Sequence, residues 1–169
     1  LVALLLIGLA ITRSPWFSWT GNALSDLGAH EAAAIFNSGL ISGGIIFGVF
    51  AVGLWESLWG KALGRVGGLM ALLTAVALCA IGIFPETAGE IHLYASLAFF
   101  LLLPVSLWLV GAALVQLGER RLGALVVIAG VVALAVWALP WPAVAIPEII
   151  SSFAAAASSI ALGVRLFRD

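Results

Sequence analysis

Apolar residues run through this chain in six stretches, separated only by short polar gaps. The first covers residues 1–12, the second about 32–55, the third 63–84, the fourth 91–117, the fifth 122–139 and the sixth 149–167. Within lipid, a backbone must satisfy its own hydrogen bonds, so runs of this length read as helices. Each crossing needs roughly 20 apolar residues. The first stretch falls short, and we expect it to be the outer half of a helix whose beginning precedes Leu1. Short gaps make successive helices antiparallel neighbours. The pattern predicts an all-α, polytopic membrane bundle of six transmembrane helices, the first truncated, forming a single domain over 1–169.

Composition agrees: 64% of residues are hydrophobic and 9% charged, where a soluble domain carries roughly 25% charged residues. The charges are segregated. Lys61, Arg65, Arg120, Arg121, Arg165 and Arg168 fall in alternate gaps or after the last stretch, and only Arg13 opposes them. Basic residues flanking short loops mark the cytoplasmic side, so both termini are expected inside, with the protein integral to the cell membrane. The other gaps hold both histidines and five carboxylates: Asp26, Glu31, Glu86, Glu90 and Glu148. No basic cluster suits nucleic acid. The lone Cys79 lies in an apolar run and reads as an inert thiol.

Trp16, Phe17, Trp19, Trp137 and Trp141 fall at one membrane boundary and Trp55 and Trp59 at the other, as interfacial anchors do. Gly39, Gly43, Gly44, Gly48, Gly60, Gly64 and Gly68 recur at four-residue intervals, baring backbone for close helix approach. Packing within the bundle is the expected use. Pro104 is expected to bend the fourth span.

The candidate chemistry gathers at the acidic gaps. Asn22, Ser25, Asp26, His30 and Glu31 lead into the second span, Glu86, Glu90 and His92 into the fourth, and Glu148 into the sixth. Asn37 and Ser38, two turns further on, are expected on the floor of the same pocket. Glu31, Glu90 and Glu148 sit where a helix N-terminus stabilises a carboxylate by roughly 0.3–1 kcal/mol, and Ser25 or Asp26 suits a cap. Capping alone accounts less well for two histidines among the acids. Neutral imidazoles beside carboxylates are ligands for a divalent metal such as zinc, or proton carriers. Asp26, His30, Glu86 and His92 are the candidate ligands. Asp26, Glu86, Glu90 and His92 are the candidate catalytic groups, and Asn22, Ser25, Glu31, Asn37 and Glu148 complete a polar pocket. His30-Glu31 is followed by three alanines, so a zincin motif is absent.

Asn22-x-x-Ser25-Asp26-Leu27-Gly28, Phe36-Asn37-x-Gly39-Leu40 and Gly82-x-Phe84-Pro85-Glu86, with His92 beyond, resemble the prokaryotic membrane family called domain of unknown function 998. That family is itself distantly similar to six-helix proteins of autophagy regulation and GPI-lipid remodelling. The resemblance implies six helices and a polar cluster at Asn22, Ser25, Asp26, Asn37, Glu86 and His92. The Ser, Asp and His types also resemble membrane hydrolases of the ceramidase and adiponectin-receptor kind, which use three histidines where this chain has two.

Two functions follow. The first reading is a non-catalytic accessory subunit of a larger respiratory or transport complex, with the bilayer and other membrane subunits as partners. The alternative is an intramembrane, metal-assisted hydrolase acting near the outer leaflet, with Glu90 or Glu31 as base. Transport ranks below both, because the inner half of the chain offers no ionisable relay.

Overall fold

The structure, a computed structural model, describes residues 1–167. Arg168, counted above among the basic residues, lies outside the described residues. Six α-helices follow one another: α1 (Val2–Thr12), α2 (Ala33–Ser57), α3 (Ala62–Ile83), α4 (Glu90–Gln116), α5 (Arg120–Ala135) and α6 (Ala145–Leu166). Short 3-10 turns at Ser25–Gly28, Glu86–Ala88 and Val136–Ala138 join them, and no strand occurs among the described residues. Five helices are long and apolar enough to cross a membrane, α5 together with its 3-10 turn; α1, at 11 residues, is the short one. At about 1.5 Å per residue, α3 and α6 each rise about 33 Å, close to the roughly 30 Å of a bilayer core. This is a multi-pass membrane protein.

Each helix packs chiefly on its neighbours in sequence, and α6 returns to touch α2 and α4. α4 lies most deeply: Phe99, Leu103, Leu107, Val110 and Leu114 are buried at intervals of three and four, the stripe of a helix held on one face. It runs unbroken through the buried Pro104. Outward-facing residues are apolar as well. Ile45, Val49, Val66, Leu73, Leu125, Ile128, Phe153 and Ile160 are exposed, a surface suited to acyl chains rather than water.

Lipid gives helices no hydrophobic reason to associate, so close approach and dispersion hold them together. The glycines supply it. A Cβ at Gly68 would lie 2.7 Å from Trp55 Cβ, and one at Gly82 2.7 Å from the Asn37 carbonyl oxygen. A side chain there would force α2 and α3 apart.

The α4–α5 turn is a Schellman motif. Glu119 N–H donates to Leu114 O at 2.9 Å and Gly118 N–H to Val115 O at 3.1 Å. Gly118 takes φ +90°, a conformation costly to any residue bearing a Cβ. Arg165 Nε then donates to Glu119 Oε1 at 2.8 Å, tying the end of α6 to this turn. Lys61, Arg65, Arg120 and Arg121 start α3 and α5 at the same end. The acids and histidines of the sequence cluster occupy the opposite one.

Candidate functional site

At the acidic end, the α1–α2 connection folds across the top of the bundle and is held by its own polar groups. Asp26 Oδ2 accepts from Asn22 Nδ2 at 2.8 Å and from Ala23 N–H at 3.1 Å. Asn22 Oδ1 in turn accepts from Ser18 N–H at 2.9 Å. The short helix expected here exists, but neither Ser25 nor Asp26 caps it; Leu24 precedes it without a side-chain bond. Leu27 anchors the turn at 0% exposure. Gly28 fits because a Cβ there would press 2.5 Å from Asn37 Oδ1, and Asn37 Nδ2 donates to the Gly28 carbonyl at 3.0 Å. Asn37 thus pins the loop to α2 instead of flooring a pocket. Ser38 is exposed, its hydroxyl donating to Ile35 O.

A clasp between distant parts of the chain closes the structure. Leu24 N–H donates to Glu148 Oε2 at 2.6 Å, and Ala145 N–H to Asn22 O at 3.2 Å. Glu148 lies in the first turn of α6, as expected for a capping acid, yet makes no cap bond there.

Asp26 and Glu86 meet through their side chains. Desolvation draws the Asp26 carboxyl upward, but hydrogen bonds from Glu86, Asn22 and Ala23 outweigh it and hold Asp26 below its ordinary value. Glu86 is pushed up to about 7, first by the hydrogen bond to Asp26, then by desolvation and the Asp26 charge, with His30 pulling the other way. Of the two, Glu86 is the one that favours its proton and Asp26 the one that favours its charge. His30 is exposed, its Nδ1–H donating to Asp26 O at 2.8 Å and its ring tilted on Trp16 at 4.4 Å. Glu31, also exposed, accepts from Trp16 Nε1 at 3.1 Å. Its own backbone N–H, then that indole, hold its carboxyl below the ordinary value.

His92 is turned elsewhere. It is 8% exposed, its Nδ1–H donates to the Phe84 carbonyl at 2.8 Å, and its Nε2 faces Ser96 Oγ at 3.3 Å. The candidate metal set is thereby divided: Asp26, His30 and Glu86 are neighbours, while His92 points to Ser96. No group of three or more His, Cys, Asp or Glu side chains among the described residues could hold a metal ion.

A cavity of about 700 Å³ opens beside His92, between α4, the end of α5 and the start of α6. Ser25, Glu86, Glu90, His92, Ser96 and Glu148 line it, gathering five of the predicted residues and leaving Asn22, Asp26, His30, Glu31 and Asn37 outside its wall. Leu97, Phe100, Leu101, Leu134 and Trp137 form the remaining side. From Glu90 to Leu101 the wall of α4 rises about 16 Å. Polar groups gather along the first turns of that length, with Leu93 among them, and apolar ones alone line the rest, a gradient that suits an amphiphile.

Ser96 is the residue the sequence analysis did not single out. Ser38, Ser42, Thr74, Ser106, Ser152 and Ser159 each donate to a main-chain carbonyl three or four positions earlier in the helix. Ser96 pairs instead with an imidazole. The available signal was spacing: positions 92 and 96 are one helical turn apart and share a face.

No curated protein and no solved structure matches the chain. The family model described as "Protein of unknown function (DUF998)" matches residues 1–165, so nearly the whole of this membrane bundle belongs to that family.

Proposed function

We propose that the protein is an intramembrane hydrolase that cleaves an acyl bond of a lipid, with Ser96 as nucleophile and His92 as base. The observation that carries this reading is the Ser96–His92 pair at the wall of an amphiphile-shaped cavity. With Nδ1–H donated to Phe84 O, the neutral imidazole keeps its lone pair on Nε2, facing the Ser96 hydroxyl. A nucleophile, a base in reach of it, and a third group orienting the base are the parts of nucleophilic acyl transfer. The 3.3 Å separation is loose, as such pairs often are before substrate binds.

In this reaction Ser96 Oγ bonds to the acyl carbon while its proton passes to His92 Nε2. The leaving alcohol or amine takes that proton as its bond to the acyl carbon breaks. Leu97, Phe100, Leu101 and Leu134 would receive the acyl chain. The exposed flanks of Leu97 and Leu101 give it a lateral way in from the bilayer. The basic gaps at the far end orient the site toward the outer leaflet.

An accessory subunit would dock through small-residue faces left for partners. Gly39 closes on Leu6, Gly43 on Ala3, Gly44 on Cys79 and Gly64 on Leu58, so these faces are occupied within the chain. A hydrolase is the better fit.

A long-chain alkyl fluorophosphonate tests the assignment on the protein in lipid nanodiscs. We expect covalent labelling at Ser96, none in Ser96→Ala, and a fall on the order of 100-fold in labelling rate for His92→Gln. Labelling that survives Ser96→Ala, or no labelling with the protein migrating inside a larger complex, overturns it; the latter favours the subunit.

A further inference from the structure

Against Ser96 lies a second, smaller space of about 40 Å³. Ser25, Ser96, Glu148 and Ser152 bring polar groups to it, and Leu24, Phe36, Leu40 and Phe99 are among its apolar walls. Ser25, Ser96, Phe100 and Glu148 line both this niche and the larger cavity. The two spaces therefore adjoin at the nucleophile, from different sides.

Size and polarity decide what the niche accepts. Roughly 10–15 Å³ of such space holds one water, provided two to four polar groups face it. The niche takes a water or two and is too small for an acyl chain. Ser152 offers little, since its hydroxyl is turned to the Glu148 carbonyl at 2.8 Å. Glu148 offers more. Its Oε2 is fixed by the Leu24 N–H, while its Oε1 and Ser25 Oγ make no hydrogen bond among the described residues. A glutamate serving only its own helix would bond that helix's first N–H groups, and Glu148 makes no such bond. It is held from across the chain with one oxygen free, beside a water-sized space that touches Ser96.

We propose that this niche seats the hydrolytic water and that Glu148 is the positioning residue of deacylation. The proposal rests on the Ser96–His92 reading and supplies its second half. With the acyl group esterified to Ser96 Oγ, the water donates one hydrogen bond to Glu148 Oε1. Its oxygen bonds to the acyl carbon as its other proton passes to His92 Nε2. The C–Oγ bond then breaks, His92 returns the proton to Ser96 Oγ, and the carboxylic acid departs. One water is consumed and the enzyme is restored.

A long-chain p-nitrophenyl ester, mixed rapidly with the full chain in nanodiscs, separates the two halves. The burst of p-nitrophenolate reports acylation and the steady rate reports deacylation. Glu148→Gln keeps an oxygen for the Leu24 N–H but replaces the water acceptor with an NH2 donor. We expect an unchanged burst, a steady rate lower on the order of 100-fold, acyl-Ser96 accumulating in the intact mass, and turnover restored by added hydroxylamine. Ser25→Ala removes the other side of the niche without touching the clasp, and it should likewise slow only the steady phase. That second variant keeps the test open if Glu148→Gln misfolds. Equal losses in both phases, or a glutamine variant like the wild type, overturn the water role and leave Glu148 a strap. A wild-type protein that shows neither burst nor acyl-Ser96 overturns the underlying reading as well, an outcome distinct from the other two.

Discussion

Asp26 and Glu86 show how a residue pair can set a pH range. Glu86 favours its proton in the fold, so its contribution is full below its ordinary 4.5 and is lost as pH rises through about 7. Asp26 favours its charge, so its contribution is present above its ordinary 3.8 and is lost as pH falls through its lowered value. The tie between the Ser25–Gly28 and Glu86–Ala88 turns is thus strongest in mild acid. Above neutrality two carboxylates face one another, and the hydrogen bonds from Asn22 and Ala23 serve Asp26 alone. Amide hydrogen exchange of residues 86–89, corrected for intrinsic rate, should quicken between about pH 6 and about pH 8. In Glu86→Gln, which keeps a donor without a titrating proton, it should stay flat. A pH-independent wild type would show that Glu86 holds no such proton.

Among the elements, the helices were legible because their signals are local. Uninterrupted apolar runs, bounded by Lys61, Pro85, Gly89 and Gly118, place α2, α3 and α4 within two residues of the expected spans. α6 begins at Ala145, four residues ahead of the expected 149, because Pro147 is accepted in its first turn. Glycine periodicity correctly announced close packing inside the bundle. A leucine at Gly64 would drive a Cβ into the Leu58 side chain, 2.6 Å away, and its main chain. Gly64→Leu should therefore cost about 1–3 kcal/mol and lower the thermal midpoint of the isolated chain in detergent. A variant as stable alone as the wild type would place that face at a partner's surface instead. The site was only half legible. Sequence gathered the acids and histidines at one end, since they fall in alternate gaps. It could not show that Glu148 reaches Leu24 across 124 positions, which depends on how α6 docks. Nor could it show that His92 turns from the acids to Ser96, which depends on a rotamer and on the Phe84 carbonyl.

At the scale of the whole molecule, the two ends differ in kind. Arg165 and the tight α4–α5 turn brace one end, where Lys61, Arg65, Arg120 and Arg121 begin helices. The Arg165–Glu119 pair is partly buried, and the basic residues around it matter more for orientation than for stability. Positive charge on short loops favours the cytoplasm, and the orientation we propose on that ground has the Ser96 cavity on the outer side. That placement can be read with two cysteines in a Cys79→Ala background. Thr87 is exposed on the acidic end, and Gly60 is exposed at the other, with open space where its Cβ would go. Thr87→Cys should react with a membrane-impermeant maleimide in intact cells, and Gly60→Cys only after lysis. The reverse pattern would put the cavity in contact with the cytoplasmic leaflet. The catalytic assignment could survive that result, since Ser96, His92 and Glu148 keep their geometry whichever way the bundle is inserted. What would change is the pool of lipids that can slide in past Leu97 and Leu101, so orientation selects the substrate while the helices determine the chemistry.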